Sequence, residues 1–167
     1  MVYVADMNNH RVLKFNNTGT LIAKWGGLGI GEDNFYSPEG IAIDGSGNVY
    51  VADGSNSRIQ KFTNSGTPLS RWGSNGPENG NFLTALGVSI SGTGKIYVTS
   101  DNRFQQFDNS GKFLASYFAY GFSGGSFMGV RGIEVAPTGG SLYVTDVTNG
   151  RVLKFSVLDI ISLSSPS

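Results

Sequence analysis

One fourteen-residue pattern recurs along this chain and constrains what it can fold into: VYVADMNNHRVLKF at Val2–Phe15 and VYVADGSNSRIQKF at Val49–Phe62. A shortened IYVTSDNRFQQF follows at Ile96–Phe107, and LYVTDVTNGRVLKF at Leu142–Phe155. The starts lie 47, 47 and 46 residues apart. A fixed period of this length marks repeated supersecondary units and outweighs any local motif.

Within each repeat the Val/Ile/Tyr-rich opening alternates as a strand does. A polar bend leads to a second strand at Arg11–Phe15, Arg58–Phe62, Arg103–Phe107 and Arg151–Phe155. Three tight turns ending in glycine follow, Asn16–Gly19, Thr63–Gly66 and Asp108–Gly111, because such hairpins require a positive φ. A third strand ends near Trp25, Trp72 and Tyr117, and a long glycine-rich connection leads to a fourth at Gly40–Asp44, Gly87–Ser91 and Gly132–Ala136. Four antiparallel strands in such a period are the pattern of propeller blades. No segment sustains the 3.6-residue period of a helical solenoid.

The second unit, Phe35–Phe62, reads Phe-x-x-Pro-x-Gly-Ile-Ala, then Gly-Asn-Val-Tyr-Val-Ala-Asp, then Asn-x-Arg-Ile-Gln-Lys-Phe. It resembles the NHL repeat, and the other copies extend the resemblance over Val2–Phe155. The resemblance implies an all-β propeller. Ser100 stands where the other copies have aspartate, Ala85 replaces Pro38, and the last unit lacks the Asn-Ser-Gly turn. One repeat domain is expected, with a partial first blade at 2–26 and further blades at 40–73, 87–118 and 132–163. Val157–Leu163 is a candidate outer strand for the last blade, which has three or four strands. That makes roughly 3.5–4 blades, against typical rings of 4–8.

A first blade without its innermost strand leaves three expectations open: a closed small ring, a piece of a longer propeller, and a homodimer whose two chains complete one ring. An open ring exposes the apolar faces of its end blades. Hiding ~1,000 Å² of such area yields about 25 kcal/mol gross at ~25 cal/mol/Å², from which association costs subtract. Self-association, or the remainder of a longer propeller, is therefore an expected partner.

Composition narrows the function classes. Lysine plus arginine equals aspartate plus glutamate, 12 against 12, which disfavours a general nucleic-acid binder and leaves RNA as a weaker alternative. Cysteine is absent, so disulfides, thiolate metal sites and cysteine nucleophiles are excluded. No apolar run reaches the ~20 residues of a membrane helix, and Met1 leads directly into a strand without a recognisable signal peptide. The sequence assigns no compartment. Ser91–Lys95 lacks the spacing of a phosphate loop and reads as a turn. No Gly-x-Ser-x-Gly elbow occurs.

Alternation places the bends and the long connections at one end of the strands, and varied loops on a rigid scaffold are where binding concentrates. Asp6/Asn9/Arg11, Asp53/Asn56/Arg58 and Asp146/Asn149/Arg151 recur in register; because they follow the repeat they are read as structural, satisfying their own bends. Trp25, Trp72 and Tyr117 are read as packing between blades. Residues that break the repeat are the ligand-binding candidates: His10, Asp33, Tyr36, Glu78, Tyr120, Phe122, Phe127 and Arg131. No catalytic residue, cofactor or metal site is assigned; the sole histidine, His10, cannot build a multi-histidine zinc site alone. The expected function is a non-enzymatic scaffold binding a protein, peptide or glycan, with a metal-dependent hydrolase or lyase as the alternative.

Overall fold

The computed structural model describes residues 1–118, 121, 127–136 and 138–157. Among the described residues fourteen strands form four antiparallel sheets, in sequence order. The first holds β1 (Val2–Asp6), β2 (Arg11–Phe15) and β3 (Leu21–Gly26). The second holds β4 (Pro38–Ile43), β5 (Val49–Asp53), β6 (Arg58–Phe62) and β7 (Pro68–Trp72). The third holds β8 (Val88–Ile90), β9 (Ile96–Ser100), β10 (Arg103–Phe107) and β11 (Phe113–Phe118). The fourth holds β12 (Val130–Val135), β13 (Ser141–Asp146) and β14 (Arg151–Ser156).

Each sheet is a meander, as short turns between adjacent antiparallel strands dictate. The bends after β1 and β5 tighten into single 3-10 turns at Met7–Asn9 and Gly54–Asn56. Packing clusters join the first sheet to the second, the second to the third and the third to the fourth, and among the described residues none joins the first to the last, so the closed single-chain ring is corrected: this is an open arc of propeller blades. In the first sheet β1 pairs with β2 and, among the described residues, with no other strand. Of the outer strand expected at Val157–Leu163, only Val157 lies within the described residues. No helix among the described residues is long and apolar enough to cross a membrane.

The core lies between sheets. Val12, Tyr3 and Trp25 of the first sheet meet Val49, Val51 and Phe62 of the second. Tyr50, Ala52 and Ile59 of the second meet Ile96, Val98 and Phe107 of the third. Tyr97 and Phe104 of the third meet Ile133, Leu142 and Val144 of the fourth. Period-2 alternation thus gives each strand one face toward the preceding blade and one toward the next.

Trp25 packs against Phe62 at 6.0 Å, and Trp72 against Phe107 at 6.0 Å, each in the following sheet. Each indole also lies under that sheet's glycine turn. A Cβ on Gly66 would sit 2.7 Å from Trp25, and one on Gly111 would sit 2.6 Å from Trp72. Both glycines have positive φ, 91° and 85°, so the turn and the close approach require glycine independently. Tyr117 stacks on Phe104 of its own sheet, with centroids 4.7 Å apart, and packs against the cluster between the third and fourth sheets.

Candidate functional site: the loop face

The Asp/Asn/Arg sets lie at the end of the strands where the long connections emerge. Asp53 pairs with Arg58 Nε at 2.8 Å and accepts from Asn56 Nδ2 at 2.9 Å. Local satisfaction is only half of the arrangement. Arg58 Nη1 donates to the Ile30 carbonyl at 2.8 Å, and Nη2 donates to those of Gly31 and Asn34 at 2.7 and 2.9 Å. Asn56 Nδ2 reaches the Gly29 carbonyl at 2.9 Å, and Asp53 Oδ1 accepts from the Tyr36 N–H at 2.7 Å. A guanidinium fork suits several convergent carbonyls, so Arg58 clamps the connection that enters its blade.

The third blade repeats the clamp. Arg103 donates to the carbonyls of Pro77, Glu78 and Asn81. Gln60 and Gln105 add bonds to the Asn34 and Asn81 carbonyls, each at 2.7 Å. In the fourth, Asp146 pairs with Arg151 at 3.0 Å and accepts from Asn149 and the Met128 N–H. Burial pushes the Asp146 carboxyl up, but its donors Asn149, Met128 and Arg151 outweigh this and hold it below the ordinary value. In the first blade, Asp6 pairs with Arg11 at 2.8 Å and accepts from Asn9.

The clamped backbones turn their apolar side chains outward. Leu28, Ile30, Tyr36 and Leu83 are 65, 79, 48 and 48 % exposed, and Met7 and Val147 in the bends are exposed as well. At the opposite end the turns at 16–20, 44–48, 63–67, 91–95 and 108–112 contain only Asn, Asp, Ser, Thr, Lys and Gly, and the exposed apolar residues there, Leu21, Ile43, Leu69 and Leu114, stand on the strands beside them. On the loop face, Pro77, Leu83, Asp101, Asn102, Arg103 and Phe118 line a cleft of about 330 Å³. Its walls are mostly apolar, and Arg103 is held by the carbonyls it clamps.

The candidates from the sequence fall into distinct places. His10 sits in the left-handed region at φ 54°, which histidine tolerates better than most side chains. Its Nδ1 accepts from the Ser37 N–H at 3.1 Å, and its ring meets Tyr36 edge-on at 5.6 Å. His10 and Tyr36 are thus brought together. Asp33 is exposed on the first connection. Glu78 is exposed on the second, where its own backbone N–H and then Asn81 hold its carboxyl below the ordinary value. Arg131 pairs with Glu39 at 3.1 Å, bridging the second and fourth sheets. Tyr120 and Phe122 lie outside the described residues.

Phe127 corrects the premise that it breaks the repeat. It is 1 % exposed, as Phe35 and Phe82 are 0 % exposed, and it packs on Phe104 and Phe155. It is the buried plug of its connection and is not free to meet a ligand. Leu28, Ile30, Leu83 and Phe118 were not candidates, because an apolar residue in a glycine-rich stretch carries no outward signal until its backbone is pinned. Among the described residues no group of three or more His, Cys, Asp or Glu side chains can hold a metal ion.

A family comparison matches the NHL repeat at residues 35–62. No curated protein sequence matches significantly. Among solved structures, virginiamycin B lyase from Staphylococcus aureus matches with a TM-score of 0.64 at 14 % identity, over 92 % of this chain and 51 % of that one. A streptogramin B lyase matches with a TM-score of 0.64 at 12 % identity, over 92 % and 50 %. Kuenenia stuttgartiensis hydrazine synthase matches with a TM-score of 0.60 at 16 % identity, over 92 % and 45 %. At these identities the likeness concerns the fold, and this chain spans about half the length of those proteins.

Proposed function

We propose that this arc of β-propeller blades, carrying an NHL repeat, is a non-enzymatic binding module that takes a protein or peptide partner on its loop face. One observation carries the reading. Exposed apolar side chains stand on connections whose backbones are clamped by buried Arg58 and half-buried Arg103, whereas at the other end the exposed apolar residues lie on strands and the turns themselves are polar. Apolar groups held out on an ordered backbone lose little entropy on binding, and exposed apolar patches mark interaction surfaces. The cleft beside Leu83 and Phe118 suits one apolar anchor of a partner chain, with Asp101, Asn102 and Arg103 meeting its backbone.

The test is selection of a displayed random peptide library on the immobilised chain, followed by anisotropy titration of an enriched peptide. Ile30→Asp or Leu83→Asp is expected to weaken binding roughly tenfold or more, as loss of an interface anchor does. Ser65→Asp, on a turn, is expected to leave it unchanged. No enrichment, or equal losses at both ends, overturns the reading. A glycan array that lights up where the peptide library does not would move it to a sugar ligand.

A further inference from the structure

The third blade lacks the carboxylate that every other blade gives its arginine. Asp6, Asp53 and Asp146 take the Nε of Arg11, Arg58 and Arg151 at 2.8, 2.8 and 3.0 Å. Ser100 occupies that register opposite Arg103, and its hydroxyl donates to Asp101 at 2.8 Å. The Nη groups of Arg103 hold carbonyls, and among the described residues its Nε has no acceptor. Burial pushes this guanidinium below the ordinary arginine value against the pull of the nearby Asp101 and Glu78 charges. The bend is also shorter: Asp101 and Asn102 stand where the second blade has Gly54–Ser57. Here opens the cleft of about 330 Å³ walled by Pro77, Leu83 and Phe118. Its other polar groups are only half used. Asn102 Oδ1 accepts from the Gly129 N–H at 2.7 Å, and among the described residues its Nδ2 has no acceptor. Asp101 has one oxygen on Ser100 and, among the described residues, no side-chain donor on the other.

We infer that this cleft holds the C-terminal residue of a partner polypeptide. Its carboxylate accepts from Arg103 Nε and Asn102 Nδ2, its backbone N–H donates to Asp101, and an apolar side chain lies against Pro77, Leu83 and Phe118. The inference rests on the reading of the loop face as a peptide-binding surface, and it specifies which part of the peptide enters. Charge complementarity selects the carboxylate. The other three blades each pair this arginine with one, and a half-buried guanidinium bonds a carboxylate more strongly than a neutral oxygen. Asp101 then excludes a bare anion or an isolated acidic side chain, which would meet a like charge and offer it no donor. A chain terminus carries acceptor and donor on neighbouring atoms and answers both groups. Capture of a terminal carboxylate is a recurring mode of peptide recognition.

The probe is an array of random short peptides tethered by their N-termini, printed once with free C-terminal carboxylates and once as amides, and exposed to the intact 167-residue chain. Expected are binders that end in leucine, phenylalanine or another apolar residue. In anisotropy titration their amides should bind roughly tenfold or more weakly, since bonds from a charged donor are lost. Asn102→Asp keeps the acceptor for the Gly129 N–H and replaces the free donor with a carboxylate oxygen. Ser100→Asp restores to Arg103 the counter-charge that the other blades have. Each is expected to erase the preference for the free acid, whereas a general loosening of the loop would weaken acid and amide alike. Equal binding of acid and amide by the unaltered chain overturns the inference and leaves the loop-face reading standing; binding of neither form overturns both. A preference retained in either folded variant places the carboxylate elsewhere and overturns the inference. Free leucine or phenylalanine that displaces the peptide at equal concentration also overturns it, assigning the cleft to an amino acid.

Discussion

The first and second blades are nearly the same sequence in two different circumstances. VYVAD opens both, yet its two outward valines are fully buried in the second blade and half exposed in the first. Arg58 holds an aspartate and three carbonyls; Arg11 holds an aspartate. Gly66 lies against an indole, whereas nothing approaches within 4 Å of the position a Cβ on Gly19 would take. The difference teaches that a blade's residues are one half of a joint. Each contributes to stability only when its neighbour presents the other half, as expected of repeat arrays in which interfaces between units carry much of the energy.

The largest test of this comparison is in the core. Phe62 is fully buried against Trp25 and Phe35, and Phe62→Ala is expected to cost about 3–5 kcal/mol in urea unfolding. Phe15, its counterpart in the first blade, lies half-buried beside the open face, and Phe15→Ala is expected to cost about 1 kcal/mol. Equal costs would mean that the first face is covered in solution.

Next come the arginines. Arg58→Ala strands a buried carboxylate at Asp53 and frees three carbonyls, so a loss of about 3 kcal/mol is expected. Arg11 and Asp6 are 37 and 20 % exposed, and solvent screening limits the cost of Arg11→Ala to ~1 kcal/mol or less. A loss at Arg11 as large as that at Arg58 would break the distinction between the two blades. Thermal or urea unfolding of the pair of variants reads it directly.

These contrasts also mark what was legible in the sequence. Strands β5 and β6 were readable because Val, Ile and Tyr alternate across a bend of polar residues, and period-2 patterning is a local property. The local pairing of Asp53 with Arg58 was readable for the same reason, at five residues' separation. Arg58's reach to Ile30, Gly31 and Asn34 was not, because it spans 24–28 residues and connects to backbone, which has no sequence signature. Phe127 was misjudged because glycine and serine surround it, hiding its register with Phe35 and Phe82. Its burial follows from the neighbouring blade, a partner that periodicity within one repeat does not describe.

A smaller effect isolates that neighbour. Gly66 and Gly19 both have positive φ, 91° and 81°, so alanine at either pays backbone strain of about 1 kcal/mol. Only at Gly66 does the new Cβ meet a ring, 2.7 Å from Trp25, which adds about 1–2 kcal/mol of overpacking. The difference between the two variants in urea unfolding is therefore the inter-blade contact alone. Matching costs would indicate that Trp25 moves aside freely.

The smallest expected effect separates the two carboxylates by pH and salt. Asp6 and Asp146 are both held below the ordinary value of 3.8, Asp6 chiefly by Arg11 and Asn9, Asp146 by donors that overcome its burial. A folded-state value below the unfolded one contributes stability that is full above about pH 4 and is lost as pH falls through the folded value. Acid unfolding curves from pH 7 to 3 should therefore steepen below pH 4, and Asp146→Asn and Asp6→Asn should each flatten that limb. The two part on added salt. At about 1 M salt the Debye length is only ~3 Å, so the half-exposed Asp6–Arg11 pair is screened and the effect of Asp6→Asn should shrink to what its Asn9 bonds leave. Asp146 has no exposed side-chain surface and takes its bonds from Asn149 and the Met128 N–H, so Asp146→Asn should remain visible. If Asp6 keeps its whole effect at high salt, water does not reach its pair with Arg11, and the open side of the first blade is occupied.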